Sequence, residues 1–243
     1  MKLRNILLFM SYDSGFKDPF RDEFNLSINF INNYISKKIQ LLNLDTTEDF
    51  NTIHIEPTFM NVGVNKKVAG SKTIKISLYF DKEYYMSIGE VDKIEYCLKL
   101  VYDGCEQLFK TNNFLLLELN NIFITFKEAG YINRLLYKTK KFKDNKLEVK
   151  LYRDFTSTSL SLNLIVVNLE NKEVLLNDIL IKTLPDELCF NPLFKDIILL
   201  NNQLIITEFQ NRPKFIFELG DVLQKEFKFK VTEFGLTYRL EMM

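Results

Sequence analysis

Residues 3–10 form a short apolar stretch that predicts a strand, and the polar run at 11–22, with Gly15 and Pro19, predicts a loop. The next segment carries two periods. Phe24, Leu26, Ile28 and Phe30 alternate, whereas Phe24, Ile28, Ile31, Ile35 and Ile39 keep helical spacing for longer, and the longer pattern predicts a helix. Residues 53–60 and 73–80 read as two strands of a hairpin, joined by a lysine-bearing loop that contains Gly63 and Gly70. Ser87 and Glu90 have capping-box spacing, each side chain able to bond the other's free N–H, so a long helix is expected over about 87–110. Behind it Val91, Ile94, Leu98, Val101, Cys105 and Leu108 recur at three- and four-residue steps and mark its core face.

Beyond that helix, residues 114–119 and 122–126 flank Asn120 and Asn121, which predicts a hairpin turn, and 127–137 predicts a short helix. From 147 onward alternation dominates. Strand pairs are expected around the polar turn after 169, around residues 201–203 and around Gly235. The fold class that follows is α+β: antiparallel-rich sheets from successive hairpins, packed on one long amphipathic helix and a few shorter ones. No Pro-, Gly- or Ser-rich linker interrupts the chain, so residues 1–243 are expected to form one domain, helix-richer to about 140 and hairpin-rich from about 141. Residues 105–125 and 189–207 share a Leu-Phe-Lys, apolar run, Asn-Asn, Ile-Thr order that a weak internal duplication would leave.

Composition narrows the class. Apolar residues make up 47% and charged residues 26%, the balance of a folded globular chain. With 32 basic and 32 acidic residues, no net field draws the molecule to nucleic acid or anionic lipid. No apolar run approaches the roughly 18–20 residues of a membrane-spanning helix. The apolar stretch at 6–10 is too short for a signal-peptide core, and Cys97, Cys105 and Cys189 form no C-x-x-C pair. A reducing cytoplasm is the expected compartment. Abundant Lys, Asn, Ile and Phe without Trp suggest an AT-rich bacterial genome.

Chemistry-bearing motifs are sparse. The single histidine, His54, shares a strand face with Glu56, an arrangement open to a general base with an orienting carboxylate or to a plain surface histidine. One histidine and scattered cysteines give no zinc spacing, and no catalytic, cofactor or metal residue is assigned. Residues 63–73 fail as a phosphate loop because six residues, not four, separate Gly63 from Gly70, and Ser71 stands before Lys72. Cys105 lies on the core stripe and Cys97 beside it, as buried inert thiols would. Residues 134–153 carry Arg134, Lys138, Lys140, Lys141, Lys143, Lys146, Lys150 and Arg153 against Asp144 and Glu148, a possible phosphate contact or a solvated connector.

On the outer face of the long helix, Asp92, Glu95, Asp103 and Glu106 form an acidic stripe able to steer a basic protein partner. The expectation is a non-catalytic protein-binding protein, most specifically a bacterial immunity protein that binds a cognate toxin. The alternatives are an enzyme of an unrecognised family using His54, and a nucleic-acid-associated accessory protein using residues 134–153.

Overall fold

A computed structural model describes residues 1–46, 49–60, 62–63, 66–109, 113–186 and 194–232. The fold class is α+β. The chain divides into two compact units, Met1–Asn133 and Arg134–Met243.

The first unit is built on a sheet of strands β1 (Asn5–Leu8), β2 (Thr52–Thr58), β3 (Lys66–Lys67) and β4 (Thr73–Tyr79), in the order β1-β2-β4-β3. Leu8 pairs with Ile55 and Ile55 with Ile76 in parallel, and β3 alone is antiparallel. The expected hairpin between β2 and β4 is therefore corrected. Residues 59–72 are long enough to return the chain to the start of a parallel strand, whereas a tight turn would reverse it.

Helix α1 (Phe20–Leu42) has the helical reading of its segment, with Phe24, Ile28, Ile31, Ile35 and Ile39 buried. A second, polar stripe lies along the open edge of β1. Asn32 Oδ1 accepts the Leu8 N–H at 2.8 Å, and its Nδ2 donates to the Leu8 carbonyl at 2.9 Å. Ser36 makes the same double contact with Ile6, Asn25 makes it with Met10, and Gln40 donates to the Arg4 carbonyl. Four helical residues rise ~6 Å and two strand residues ~6.6 Å, so positions 32, 36 and 40 stay in step with 8, 6 and 4. An edge that would otherwise offer unpaired backbone groups is closed by side chains.

Helix α2 (Lys82–Ser87) starts at Asp81, whose side chain accepts the Tyr84 N–H, and α3 (Glu90–Leu108) starts at Gly89. The Ser87–Glu90 capping box is not formed. Ser87 ends α2 and donates its hydroxyl to the Tyr84 carbonyl, so the long helix begins at Glu90 rather than at about 87. Ile94, Leu98, Val101 and Cys105 are buried as the stripe predicts, Val91 is exposed, and Cys97, Leu100 and Gly104 join the core. Gly104 faces Ile55, which brings the helix axis close to the sheet: a Cβ there would lie 2.8 Å from Ile55 Cγ1.

Residues 113–128 are helix α4 (Asn113–Glu128), not a hairpin around Asn120 and Asn121. Leu115, Leu116, Leu119, Ile122 and Phe126 are buried at helical spacing, and that burial outweighs the turn preference of two exposed asparagines. The short helix expected over 127–137 is likewise replaced, since α4 ends at Glu128 and a strand begins at Asn133.

The second unit consists of two four-stranded sheets. Strands β5 (Asn133–Phe142), β6 (Leu147–Phe155), β7 (Leu160–Asn168) and β8 (Val174–Thr183) lie in chain order. Strands β9 (Asp196–Leu200), β10 (Gln203–Thr207), β11 (Pro213–Glu218) and β12 (Lys230–Val231) follow the same rule, with α5 (Leu219–Leu223) after β11. The pairs β6–β7, β7–β8, β9–β10, β10–β11 and β11–β12 are antiparallel; β7–β8 and β9–β10 are hairpins at the expected turns, whereas β11 lies outside the strands expected from sequence. Asn201 and Asn202 both adopt positive φ, 49° and 64°, the conformation a two-residue hairpin turn requires. The Asn120–Asn121 pair is helical, whereas Asn201 and Asn202 form the turn between β9 and β10. The strand expected after Gly235 and residue Cys189 lie outside the described residues.

Candidate functional site

Alternation places Leu7 and Phe9 of the β1 segment, His54, Glu56 and Thr58 of β2, and Lys75, Ser77 and Tyr79 of β4 on the sheet face opposite Ile53, Ile55, Ile74 and Ile76. The latter face packs toward α3 through Ile55. The former is polar and partly open, an unusual state for parallel strands, which are normally covered on both faces.

At its centre the Glu56 carboxylate is only 3% exposed. One of its oxygens accepts the Ser11 hydroxyl and the other accepts the Lys75 ammonium. His54 lies on the same face, as predicted, but its Nε2 is 2.9 Å from the Phe9 carbonyl, a contact that requires the proton on Nε2. Burial holds His54 below its ordinary range, so the ring is neutral at pH 7. Glu56 thus neutralises Lys75 and positions Ser11, and the His54 ring is oriented by a backbone carbonyl. No relay from Ser11 to His54 is assembled among the described contacts, and the base-and-carboxylate geometry weighed for His54 and Glu56 is absent. Polar residues at alternate positions of otherwise apolar strands, His54 and Glu56 against Lys75 and Ser77, were the available signal for this cluster.

Three loops converge where these strands end. The Thr58 hydroxyl donates to the Ser14 carbonyl at 2.8 Å, Phe80 N–H donates to the Thr58 carbonyl at 2.9 Å, and the Phe16 ring packs edge-on against Phe59 and Phe80. Gly15, at φ 86°, lets the Phe59 ring and the Met60 sulfur close over the chain, where a Cβ would come within 2.7 Å of the ring. This framework presents Tyr12 at 84% exposure, Tyr79 at 60%, Phe59 at 53%, Met60 at 48% and Phe9 at 44%. The Arg21 guanidinium lies 3.8 Å above the Tyr12 ring and is held by Asp18 and Asp22.

The acidic stripe of α3 is real as a helix face but partly neutralised. Glu95 pairs with Lys127 and accepts the Tyr131 hydroxyl, contacts that hold its carboxyl below the usual range, and Asp103 pairs with Lys99. Asp92 and Glu106 are exposed and make no ion pair among the described contacts. The basic segment of the second unit is more fully compensated. Arg134 forms a two-pronged contact with Asp154, Lys138 and Lys140 share Asp196, Lys141 and Lys150 share Glu148, Lys146 meets Glu170, and Arg153 is buried. Six of the segment's eight cations thus share four carboxylates, which lowers its positive charge without cancelling it.

Cys97 and Cys105 are buried free thiols, pushed up by burial, Cys105 to about 12. Residues 63–73 contain strand β3 and lead into β4 rather than into a helix, the wrong context for a phosphate loop. Among the described residues no group of three His, Cys, Asp or Glu is placed to hold a metal ion, and no helix is long and apolar enough to cross a membrane.

No family model matches the chain, and comparison with curated proteins and with solved structures returns no significant match. Fold and site together define an α+β protein whose most elaborated surface is the aromatic end of a parallel sheet.

Proposed function

We propose that the chain is a non-catalytic protein-binding protein, most specifically a bacterial immunity protein that acts in the cytoplasm by binding a cognate toxin over its active site. One observation carries the reading. The carboxyl ends of parallel strands are where open α/β sheets bring ligand-binding groups together. Here that place is occupied by large exposed side chains, Phe9, Tyr12, Phe59, Met60 and Tyr79, above polar groups that are already bound to one another. Aromatic residues and methionine are the side chains enriched at protein interfaces and, for tyrosine, among the residues that dominate their energy. The unpaired Asp92 and Glu106 of α3 add a charged surface suited to steering such a partner.

The test is affinity purification of the tagged protein from its native host at moderate salt, followed by expression of any polypeptide recovered near one to one. The expected partner arrests growth when expressed alone and is silenced by co-expression of this chain. Recovery of the protein alone at every salt concentration overturns the reading. Asp92→Lys combined with Glu106→Lys is expected to slow association while leaving the fold intact, because both side chains are exposed and make no ion pair among the described contacts.

A further inference from the structure

We infer that the aromatic end of the first unit's sheet receives an arginine- or lysine-rich segment of a protein partner; the inference rests on the binding reading above and adds the place and the chemistry. The segments that form this end, residues 11–23, 59–63 and 79–84, carry six carboxylates, Asp13, Asp18, Asp22, Glu23, Asp81 and Glu83, against three cations, Lys17, Arg21 and Lys82. Two of those cations already have partners. Arg21 is buried between Asp18 and Asp22, and Lys82 lies 4.6 Å above the Phe20 ring. Asp13, Glu23 and Glu83 are exposed and make no ion pair among the described contacts. The surface therefore offers open aromatic faces bordered by unpaired carboxylates.

That combination matches a guanidinium, which stacks on an aromatic ring while its N–H groups reach a carboxylate, and a lysine ammonium fits it less completely. The molecule holds an internal example in Arg21, which sits on the Tyr12 ring and is bound by acidic neighbours. The same excess of carboxylates repels nucleic-acid phosphate and opposes docking of this end against a second copy of itself. The framework beneath is tied by the Thr58–Ser14 and Phe80–Thr58 hydrogen bonds, so the rings are presented with little ordering left to do on binding.

The test uses the full chain and fluorescein-labelled nona-arginine, with nona-lysine and nona-glutamate alongside, read by fluorescence anisotropy. Nona-arginine is expected to bind most tightly, nona-lysine more weakly, and nona-glutamate not at all. Tyr12→Ala with Tyr79→Ala is expected to weaken nona-arginine at least tenfold. Asp13→Asn with Glu83→Gln is expected to weaken both cationic peptides. The aromatic substitutions are at exposed positions, and unchanged circular dichroism serves as the folding control. Equal binding of the acidic peptide, insensitivity to both pairs, or loss only on Asp92→Lys with Glu106→Lys overturns the inference. If a natural partner is captured by the wild-type chain and retained by the Tyr12→Ala, Tyr79→Ala chain, the placement fails while the binding reading stands; if no partner exists, the reading itself fails.

Discussion

Asn32 is the side chain on which the closure of the β1 edge is most directly tested. In the parallel pair the odd-numbered residues of β1 turn their backbone groups to β2, as Phe9 does to Ile55, and Leu8 turns its groups to α1. Asn32→Leu keeps the size of the side chain and removes both partners from a fully buried Leu8. The two orphaned backbone groups together cost about 2–6 kcal/mol, partly offset by about 1–2 kcal/mol from the added apolar burial, so a net loss of about 2.5 kcal/mol, the middle of those ranges, is expected. Asn32→Asp separates donor from acceptor. It keeps an oxygen for the Leu8 N–H but turns a second oxygen toward the Leu8 carbonyl, and only the protonated carboxyl can donate there. The folded state thus raises the introduced group's pKa above the unfolded value of about 3.9. The lost stability is recovered as pH falls through that raised value toward about 4, the reverse of ordinary acid destabilisation. Urea unfolding at about pH 5 and about pH 8, with amide exchange at Leu8 to localise the effect, reads both variants. An Asn32→Leu chain within about 0.5 kcal/mol of wild type, or an Asn32→Asp chain equally weakened at both pH values, refutes the reasoning.

Three further outcomes follow from single contacts. Gly104→Ala gains about 1 kcal/mol of helix propensity but drives a methyl into Ile55, an overpacking cost of about 1–3 kcal/mol; net destabilisation is expected, rescued in a double-mutant cycle by Ile55→Ala, and simple stabilisation would contradict the close packing. Lys214 is buried over the Phe194 ring, and burial lowers its pKa despite the attraction of Glu208. Its penalty is full below the folded value and fades as pH rises toward about 10.5, so Lys214→Met is expected to stabilise by about 1 kcal/mol and to flatten the rise of unfolding free energy with pH. In a Cys189→Ser background, Cys97 and Cys105 are expected to ignore a thiol reagent at about pH 8 until urea unfolds the chain, because burial disfavours both thiolates; rapid native labelling would show that α3 opens.

Much of the antiparallel half was legible because each strand pairs with a chain neighbour, so alternation and turn residues such as Asn201–Asn202 mark its hairpins; the start of β5 was read as a helix and β11 was not foreseen. Alternation does not encode strand direction. Ile53 to Ile55 and Ile74 to Ile76 read alike whether the strands run parallel or opposed, which is why a hairpin was expected. In α4 the turn preference of Asn120–Asn121 is local, whereas the burial of Leu115, Leu119, Ile122 and Phe126 that decides the helix is tertiary. The acidic stripe followed from helical spacing, but the lysines that neutralise half of it included Lys127 from another helix. The aromatic end was not legible at all. Tyr12, Phe59 and Tyr79 are far apart in sequence, and each lies at or just beyond the end of one of three parallel strands.

The double contacts between α1 and β1 bear on how the chain leaves the ribosome. Asn5 of β1 must wait for Thr52 before it gains a strand partner, whereas Met10 meets Asn25 and Arg4 meets Gln40 within the segment already synthesised. Pairings of long sequence separation form slowly, and an unpaired strand is sticky while it waits. A helix that carries its own amides to that strand acts as an early escort, giving β1 native hydrogen bonds before the rest of its sheet exists. The meandering second unit, whose strands pair only with neighbours in the chain, needs no such device.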